Sequence, residues 1–294
     1  MKKRVIFKGV GTALVTPFSR GRIDYPTLDR LIERQIDAKT DALVIGGTTG
    51  EAATLSDKER YRLYSHAIDL VAGRCAVVLG TGTNDTRVAI KHTMVAKSLS
   101  ADGALVVTPY YNKGTELGLG RHYEAIADAI DIPLILYNVP SRTGVNIPIP
   151  TLKRLSEREN IVGIKEASDS ADRLVKISAI GEALPLYAGN DSQTYTAMAL
   201  GGAGVISVLS NLCPERMKKI TDNLMTGQKE AALSEQQALL PLIDAIFAET
   251  NPAPIKYALS RLGLCSEEMR LPMSEVCEGT RRLIDEVLKN FELI

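Results

Sequence analysis

Short apolar runs recur along the chain at intervals of about 20–35 residues, each ending in Gly, Thr, Asn or Pro, with helical patterns between them. Eight can be traced: GTALV at 11–15, ALVI at 42–45, AVVL at 76–79, GALVV at 103–107, PLILY at 133–137, IVGIK at 161–165, LPLYA at 184–188 and GVISV at 204–208. Runs this continuous, without the alternation of a half-exposed strand, suit parallel strands buried on both faces. Between the first two, residues 27–39 place Leu28, Leu31, Ile32, Gln35 and Ile36 on one helical face. Ahead of the third, Ser56 and Glu59 have the spacing of a capping box that opens a helix running to about Val71. Eight strand–helix units predict an α/β protein built as a (β/α)8 TIM barrel. A doubly wound open sheet is the competing arrangement; the even spacing and the lack of a GxGxxG segment speak against it.

The pattern changes after the eighth unit. From about Thr226 onward the periodicity predicts helices alone, over 229–248, 254–262 and 273–288, with Pro254 suited to a first helical position and Gly263 to a C-terminal cap. We therefore expect a barrel over 1–225 and a C-terminal α-helical appendage over 226–294. At roughly seventy residues the appendage is below the size that usually folds alone, so it should pack on the barrel or on another subunit.

Composition narrows the function classes. The 294 residues carry 35 basic and 35 acidic side chains, which gives no electrostatic case for nucleic acid or an anionic membrane. Cys75, Cys213, Cys265 and Cys277 lack metal-ligand spacing, and His66, His92 and His122, all expected on helices, stand beside no second ligand type, so no metal is expected. The basic start MKKRVIFK lacks an apolar core of signal length, and no stretch approaches the roughly 18 apolar residues of a membrane span, so a soluble, cytoplasmic protein is expected.

Lys165 raises the first chemical question, because it closes the apolar run 161–164 and is followed by Glu166-Ala167-Ser168. An amine at a buried strand end either snorkels to the surface or loses enough hydration to become neutral near pH 7, and a neutral amine attacks carbonyls to form a Schiff base. In a barrel the residues just after each strand line the active site. Here they include Gly46-Gly47-Thr48-Thr49-Gly50-Glu51, Thr108-Pro109-Tyr110-Tyr111-Asn112, the stretch from Tyr137 through Arg142 to Gly144, and Gly189-Asn190-Asp191. Each segment alone has a plain structural reading: a glycine-rich turn, a core tyrosine, a solvated arginine, a core strand at 204–208. Placed on one rim they supply an imine lysine, a phenol for proton transfer, hydroxyls to relay the proton and a forked donor for a carboxylate.

The segments GGTTGEAATL, TPYYNK, ILYNVPSRTG, GIKEAS, AGND and GGAGVISV, in this order, resemble the dihydrodipicolinate synthase family. That family lies within the pyruvate-dependent class I aldolases, which include N-acetylneuraminate lyase. The resemblance spans nearly the whole chain, down to Asn251-Pro252-Ala253-Pro254-Ile255-Lys256, and its most specific parts are Thr48-Thr49 and the NVPSRTG stretch with Arg142. It implies that Lys165 forms the Schiff base with pyruvate and that Tyr137 is the general acid/base. Thr49 would link Tyr137 to a second tyrosine, Tyr111, contributed by a neighbouring subunit. Thr48 and Thr49 would hold the pyruvate carboxylate, Arg142 the carboxylate of L-aspartate 4-semialdehyde, and Gly189 and Ile206 would line the pocket through backbone groups. The implied product is a cyclic hydroxy-dicarboxylate on the route to diaminopimelate and lysine, formed without metal or organic cofactor by a homotetramer arranged as a dimer of dimers.

The resemblance also implies a regulatory lysine site near Ala52, Ala53, Asp57, Arg60, Asn84, Val88 and Tyr110. Lysine-inhibited members carry an acid at the Val88 position; here valine cannot receive the amine, so weak feedback is expected. The alternatives are a sialic acid or keto-deoxy sugar acid aldolase, which would keep Lys165 and Tyr137 but differ around Thr49 and Arg142, and a noncatalytic ligand-binding relative, which should have lost one of the first two.

Overall fold

Eight parallel strands close into a barrel in the computed structural model, which describes residues 3–294; Met1 and Lys2, the first residues of the basic start, lie outside it. In chain order the strands are β1 (Gly9–Ala13), β2 (Ala42–Ile45), β3 (Ala76–Gly80), β4 (Gly103–Val107), β5 (Leu134–Asn138), β6 (Ile161–Glu166), β7 (Leu186–Ala188) and β8 (Gly204–Ser207). Each pairs with its neighbours in this order, and β1 closes the ring against β8. The crossovers carry α1 (Tyr25–Asp37), α2 (Asp57–Val71), α3 (Thr86–Ser98), α4 (Glu116–Ala129), α5 (Ile149–Leu155), α6 (Ala171–Ser178), α7 (Thr194–Ala199) and α8 (Pro214–Met225). A two-stranded hairpin, Phe18–Ser19 with Arg22–Ile23, precedes α1.

Local chemistry sets the helix starts. Asp24 accepts from the Thr27 amide, with Pro26 in the first turn, so α1 begins two residues ahead of the periodic stretch. Both halves of the capping box form at α2: Ser56 Oγ accepts from the Glu59 amide at 3.3 Å, and Glu59 Oε2 accepts from the Ser56 amide at 3.0 Å. The three histidines lie on α2, α3 and α4.

At three of the boundaries that differ from the sequence pattern, a specific local constraint accounts for the change. The first run was expected over 11–15, but β1 ends at Ala13, because the Val15 amide turns to donate to Asn211 Oδ1 at 3.1 Å. The seventh run loses its first two residues: Leu184 closes a short turn on Gly181, and Pro185 has no amide to donate. The helix expected over 273–288 begins at Glu278, directly after Cys277, whose backbone is committed to a distant partner, as is the backbone at 268 and 270 ahead of the expected start. The Glu268 carbonyl accepts from Lys256, the Arg270 amide donates to Glu51 Oε2, and the Cys277 amide donates to Glu249 Oε1.

The inner faces of the strands form one apolar cluster that includes Val44, Val78, Leu105, Ile135, Tyr137, Tyr187 and Ile206. Phe7, just ahead of β1, stacks on Tyr187 with ring centroids 4.6 Å apart and fills the N-terminal end of the barrel, leaving the C-terminal end open for chemistry. A second, larger cluster lies between the strands and the surrounding helices.

Three helices follow the barrel: α9 (Lys229–Ile246), α10 (Ala253–Arg261) and α11 (Glu278–Asn290). α9 packs along α8, and α11 packs on α9 and α10. The firmest tie to the barrel is Lys256 of α10, which is completely buried. Its ammonium spends all three protons, on Glu51 Oε1 at 2.7 Å, the Thr16 carbonyl at 3.0 Å and the Glu268 carbonyl at 2.6 Å. Glu51 stands in the left-handed region (φ +54°) at the end of the loop that carries Thr48 and Thr49.

Candidate active site

Strand alternation places Lys165 and Tyr137 together. Side chains on a strand point to opposite faces in turn, so Tyr137 and Lys165 face inward while their neighbours Asn138 and Glu166 face the helices. The register of β5 against β6 pairs Tyr137 with Lys165, and the amine lies 4.4 Å from the centre of the phenol ring. The outward pair is fully engaged: Glu166 accepts from Asn138 Nδ2 at 2.8 Å, Arg173 Nε at 2.9 Å and the Ser168 amide at 3.0 Å. These bonds fix the two strand ends, and with them the two inward side chains.

Burial governs the titration of this pair. Loss of hydration lowers the Lys165 pKa from 10.5 to about 8; the nearby Asp191 carboxylate pulls it back up and the Arg142 guanidinium pushes it further down. Burial raises the Tyr137 phenol, opposed by Arg142 and by a hydrogen bond with the Thr48 side chain. Asp191, completely buried, accepts from the Ser207 hydroxyl and from the Val208 and Leu209 amides at 3.0 and 3.2 Å. Burial pushes the Asp191 carboxyl above its ordinary value, opposed by these hydrogen bonds and by the Lys165 amine.

Gly46 opens the loop after β2 at φ +65°, where a Cβ would also collide with the Tyr64 hydroxyl. The loop then presents its two threonines differently. Thr48 is the one bonded to the Tyr137 phenol. Thr49, the residue expected to join Tyr137 to Tyr111, accepts from Asn251 Nδ2 at 3.0 Å. Arg142 sits in the short helical turn Pro140–Thr143 that follows β5, and its Nη2 donates to the Asn251 carbonyl at 2.8 Å.

These groups surround a cavity of about 140 Å³, lined by Thr48, Thr49, Tyr137, Arg142, Lys165 and Gly189, among others. Gly189 is confined: a Cβ there would fall 2.7 Å from the Glu166 carbonyl, so the wall passes close to the end of β6. Ile206 is completely buried in the barrel interior, and Val208, two residues further on, lines the cavity in its place. Beyond lies a wider cavity of about 640 Å³ that shares Thr48, Tyr137, Arg142 and Asn251 with the first.

Tyr111 borders the wider cavity but is 88% exposed, with its backbone in the left-handed region at φ +72°. Of the regulatory positions, Ala52, Ala53, Arg60 and Tyr110 line this same cavity, whereas Asp57, Asn84 and Val88 do not. Asp57 is held by Lys91 at 2.6 Å and His92 at 3.3 Å, and the Asn84 carbonyl accepts from Asn112. Val88 is exposed on α3. Among the described residues no group of three or more His, Cys, Asp or Glu side chains could hold a metal ion, and no helix is long and apolar enough to cross a membrane.

Among the residues at the site to which sequence reasoning assigned no role are Asp191, Val208, Phe247 and Asn251. Asp191 stood in a rim segment already singled out, and Val208 in the eighth run. Phe247 and Asn251 come from the turn between α9 and α10; Phe247 fell within the helix expected over 229–248, which ends at Ile246, and Asn251 lies beyond it.

A model of the dihydrodipicolinate synthetase family matches residues 6–291. The 4-hydroxy-tetrahydrodipicolinate synthase of Syntrophus aciditrophicus is 45% identical over 290 residues, covering 98% of this chain and 100% of the relative. Among solved structures, the dihydrodipicolinate synthase of Aquifex aeolicus superimposes with a TM-score of 0.96 at 43% identity, over 98% of this chain and 99% of that one. The chloride-inhibited dihydrodipicolinate synthase of Acinetobacter baumannii, complexed with pyruvate, has a TM-score of 0.96 at 40% identity, over 98% of this chain and 100% of that one.

Proposed function

The chain belongs to the dihydrodipicolinate synthetase family, and we propose that it catalyses the 4-hydroxy-tetrahydrodipicolinate synthase reaction, condensing pyruvate with L-aspartate 4-semialdehyde through a Schiff base on Lys165. The observation that carries this reading is an amine with its pKa brought to about 8, packed against the Tyr137 phenol at a cavity bordered by Arg142.

The steps follow from those groups. The neutral Lys165 amine attacks the ketone carbon of pyruvate, the carbinolamine loses water, and an iminium forms. Loss of a methyl proton turns the iminium into an enamine, whose terminal carbon attacks the aldehyde; the resulting alkoxide takes up a proton. The amine of the incoming half then attacks the imine carbon and closes the ring. Its surplus proton passes to the Lys165 nitrogen, which departs as a free amine. Tyr137, with Thr48 as its hydrogen-bond partner, supplies and removes these protons. Asp191 lies where it can offset the iminium charge. The loop of Thr48 and Thr49 takes the pyruvate carboxylate and Arg142 the carboxylate of the aldehyde, which fixes the two carbons for bond formation.

Tyr111 acts in this scheme from a neighbouring copy. Its exposure and its left-handed backbone support a side chain held out toward a partner, and the assembly we propose is a dimer of dimers.

Borohydride reduction with pyruvate, followed by mass spectrometry, tests the imine: a reduced pyruvyl adduct is expected on Lys165 and none in Lys165→Ala. Turnover with a panel of aldehydes tests the second substrate, and preference for a sugar aldehyde over L-aspartate 4-semialdehyde would overturn the assignment.

A further inference from the structure

Arg270, in the stretch between α10 and α11, spends its guanidinium on backbone and side chains near the other end of the chain. Nη1 donates to the Thr54 carbonyl at 3.0 Å and to Glu59 Oε2 at 3.1 Å, and Nη2 donates to the Gly21 carbonyl at 2.8 Å and to Glu59 Oε1. The guanidinium carbon lies 4.5 Å from the centre of the buried Phe18 ring, and the Arg270 amide donates to Glu51 Oε2 at 3.1 Å. Glu51, Thr54 and Glu59 bracket the segment that leads from the Thr48 and Thr49 loop into α2. Glu51 holds a left-handed backbone, which a residue with a side chain keeps only where its surroundings impose it. Its amide donates to the Thr48 carbonyl at 3.0 Å and closes the turn on the threonine that meets Tyr137. Just past Arg270, Pro272 and Met273 line the same wider cavity as Thr48, Glu51 and Thr54.

Resting on the reaction proposed above, we infer that Arg270 is a positioning residue: its forked guanidinium fixes the segment behind the Thr48 and Thr49 loop and so sets where the two threonines stand for the pyruvate carboxylate. Arg270 borders neither cavity itself and acts through Glu51 and Thr54. The fork matters as much as the charge. A planar guanidinium reaches two carbonyls and a carboxylate at once, whereas a lysine ammonium in the same place brings a single point charge on a flexible stem. Substrate-holding groups are sensitive to small shifts, since a misplacement of about 1 Å can cost on the order of 10²-fold in rate. The aldehyde is served from another direction: Arg142, which takes its carboxylate, is held by the Asn251 carbonyl. Loss of the fork should therefore weigh on pyruvate more than on the aldehyde.

The test compares the two substrates in Arg270→Lys, which keeps the charge and the stem and loses the fork. One readout is the pyruvate concentration that half-saturates the adduct trapped on Lys165 by borohydride; the other is the KM for L-aspartate 4-semialdehyde at saturating pyruvate. The first is expected to rise about 10-fold and the second to change less than about threefold. A parallel rise in both would mean that Arg270 only holds the fold together and would overturn the inference, as would no rise for pyruvate. Arg270→Ala tests the geometry a second way: guanidinium ion at low millimolar concentration should fill the vacated space and restore pyruvate binding, while methylammonium of the same charge should not. In an alanine variant with the parent's circular dichroism, equal rescue by both ions, or none by guanidinium, would overturn the inference. A parent enzyme that traps no pyruvyl adduct would refute the reaction itself, a result distinct from an unshifted variant.

Discussion

Replacing Lys165 by methionine should abolish catalysis and make the protein more stable. Methionine keeps an unbranched, adaptable chain in the same space and removes the charge. Burial brings the lysine from 10.5 to about 8. At about 1.4 kcal/mol per tenfold change in proton affinity, that displacement is a folding penalty on the order of 3 kcal/mol. The folded value lies below the unfolded one, so between pH 8 and 10.5 the unfolded chain binds the extra proton; stability rises with pH across that window, and the penalty is complete below about pH 8. Urea denaturation of both proteins at matched concentration should give Lys165→Met an advantage of about 3 kcal/mol at pH 7 that shrinks toward zero by about pH 10.5. No pyruvyl adduct should form. A variant less stable than the parent at pH 7, or an advantage that does not change with pH, would refute the claim that the amine is held against its preference for charge.

Tyr137→Phe should lower kcat by about 10²–10⁴ while leaving a slower pyruvyl adduct detectable, the signature of a lost proton carrier with its nucleophile intact; an unchanged kcat would exclude the phenol from proton transfer. Lys256→Met strands the buried Glu51 carboxylate and should cost about 3–5 kcal/mol in thermal or urea denaturation, with a change below about 1 kcal/mol refuting the reading of a tie between barrel and appendage. L-Lysine added to the turnover assay should inhibit weakly, because exposed Val88 offers no carboxylate for a charge-assisted bond worth about 1.5–3 kcal/mol; clear inhibition at submillimolar lysine would contradict this.

Strands buried on both faces announce themselves as unbroken apolar runs, and a barrel puts its chemistry directly after them, so Lys165, Tyr137 and Arg142 were legible without coordinates. Fine orientation was less so. Thr48 and Thr49 are adjacent and chemically identical, and which one meets the Tyr137 phenol depends on how the loop turns after left-handed Gly46; resemblance pointed to Thr49, and within this chain Thr48 is the one that acts on the phenol while Thr49 meets Asn251. Alternation puts Ile206 and Val208 on one face of the eighth run, but the strand ends at Ser207 and Val208 turns away from strand geometry, so it is Val208 that lines the cavity. The helix expected over 273–288 failed in its first turn, and helical periodicity says nothing about a backbone group such as the Cys277 amide, which Glu249 claims.

Asn251 marks a different limit, and it bears on how the chain divides. Its partner Thr49 is 202 residues away, and no local pattern encodes a contact of that span. The turn that carries Asn251 and Phe247 belongs to the helical region after 226, yet both residues line the cavity that contains Lys165. The same region holds the loop of Thr48 and Thr49 through the Lys256–Glu51 pair and steadies Arg142 through the Asn251 carbonyl. Cutting the chain at 225 would therefore take away one wall of the site, a partner of Arg142 and the counter-charge of Glu51. The helical region contributes its part of the cavity by packing on the barrel, and the barrel's eight strand ends do not line that cavity alone.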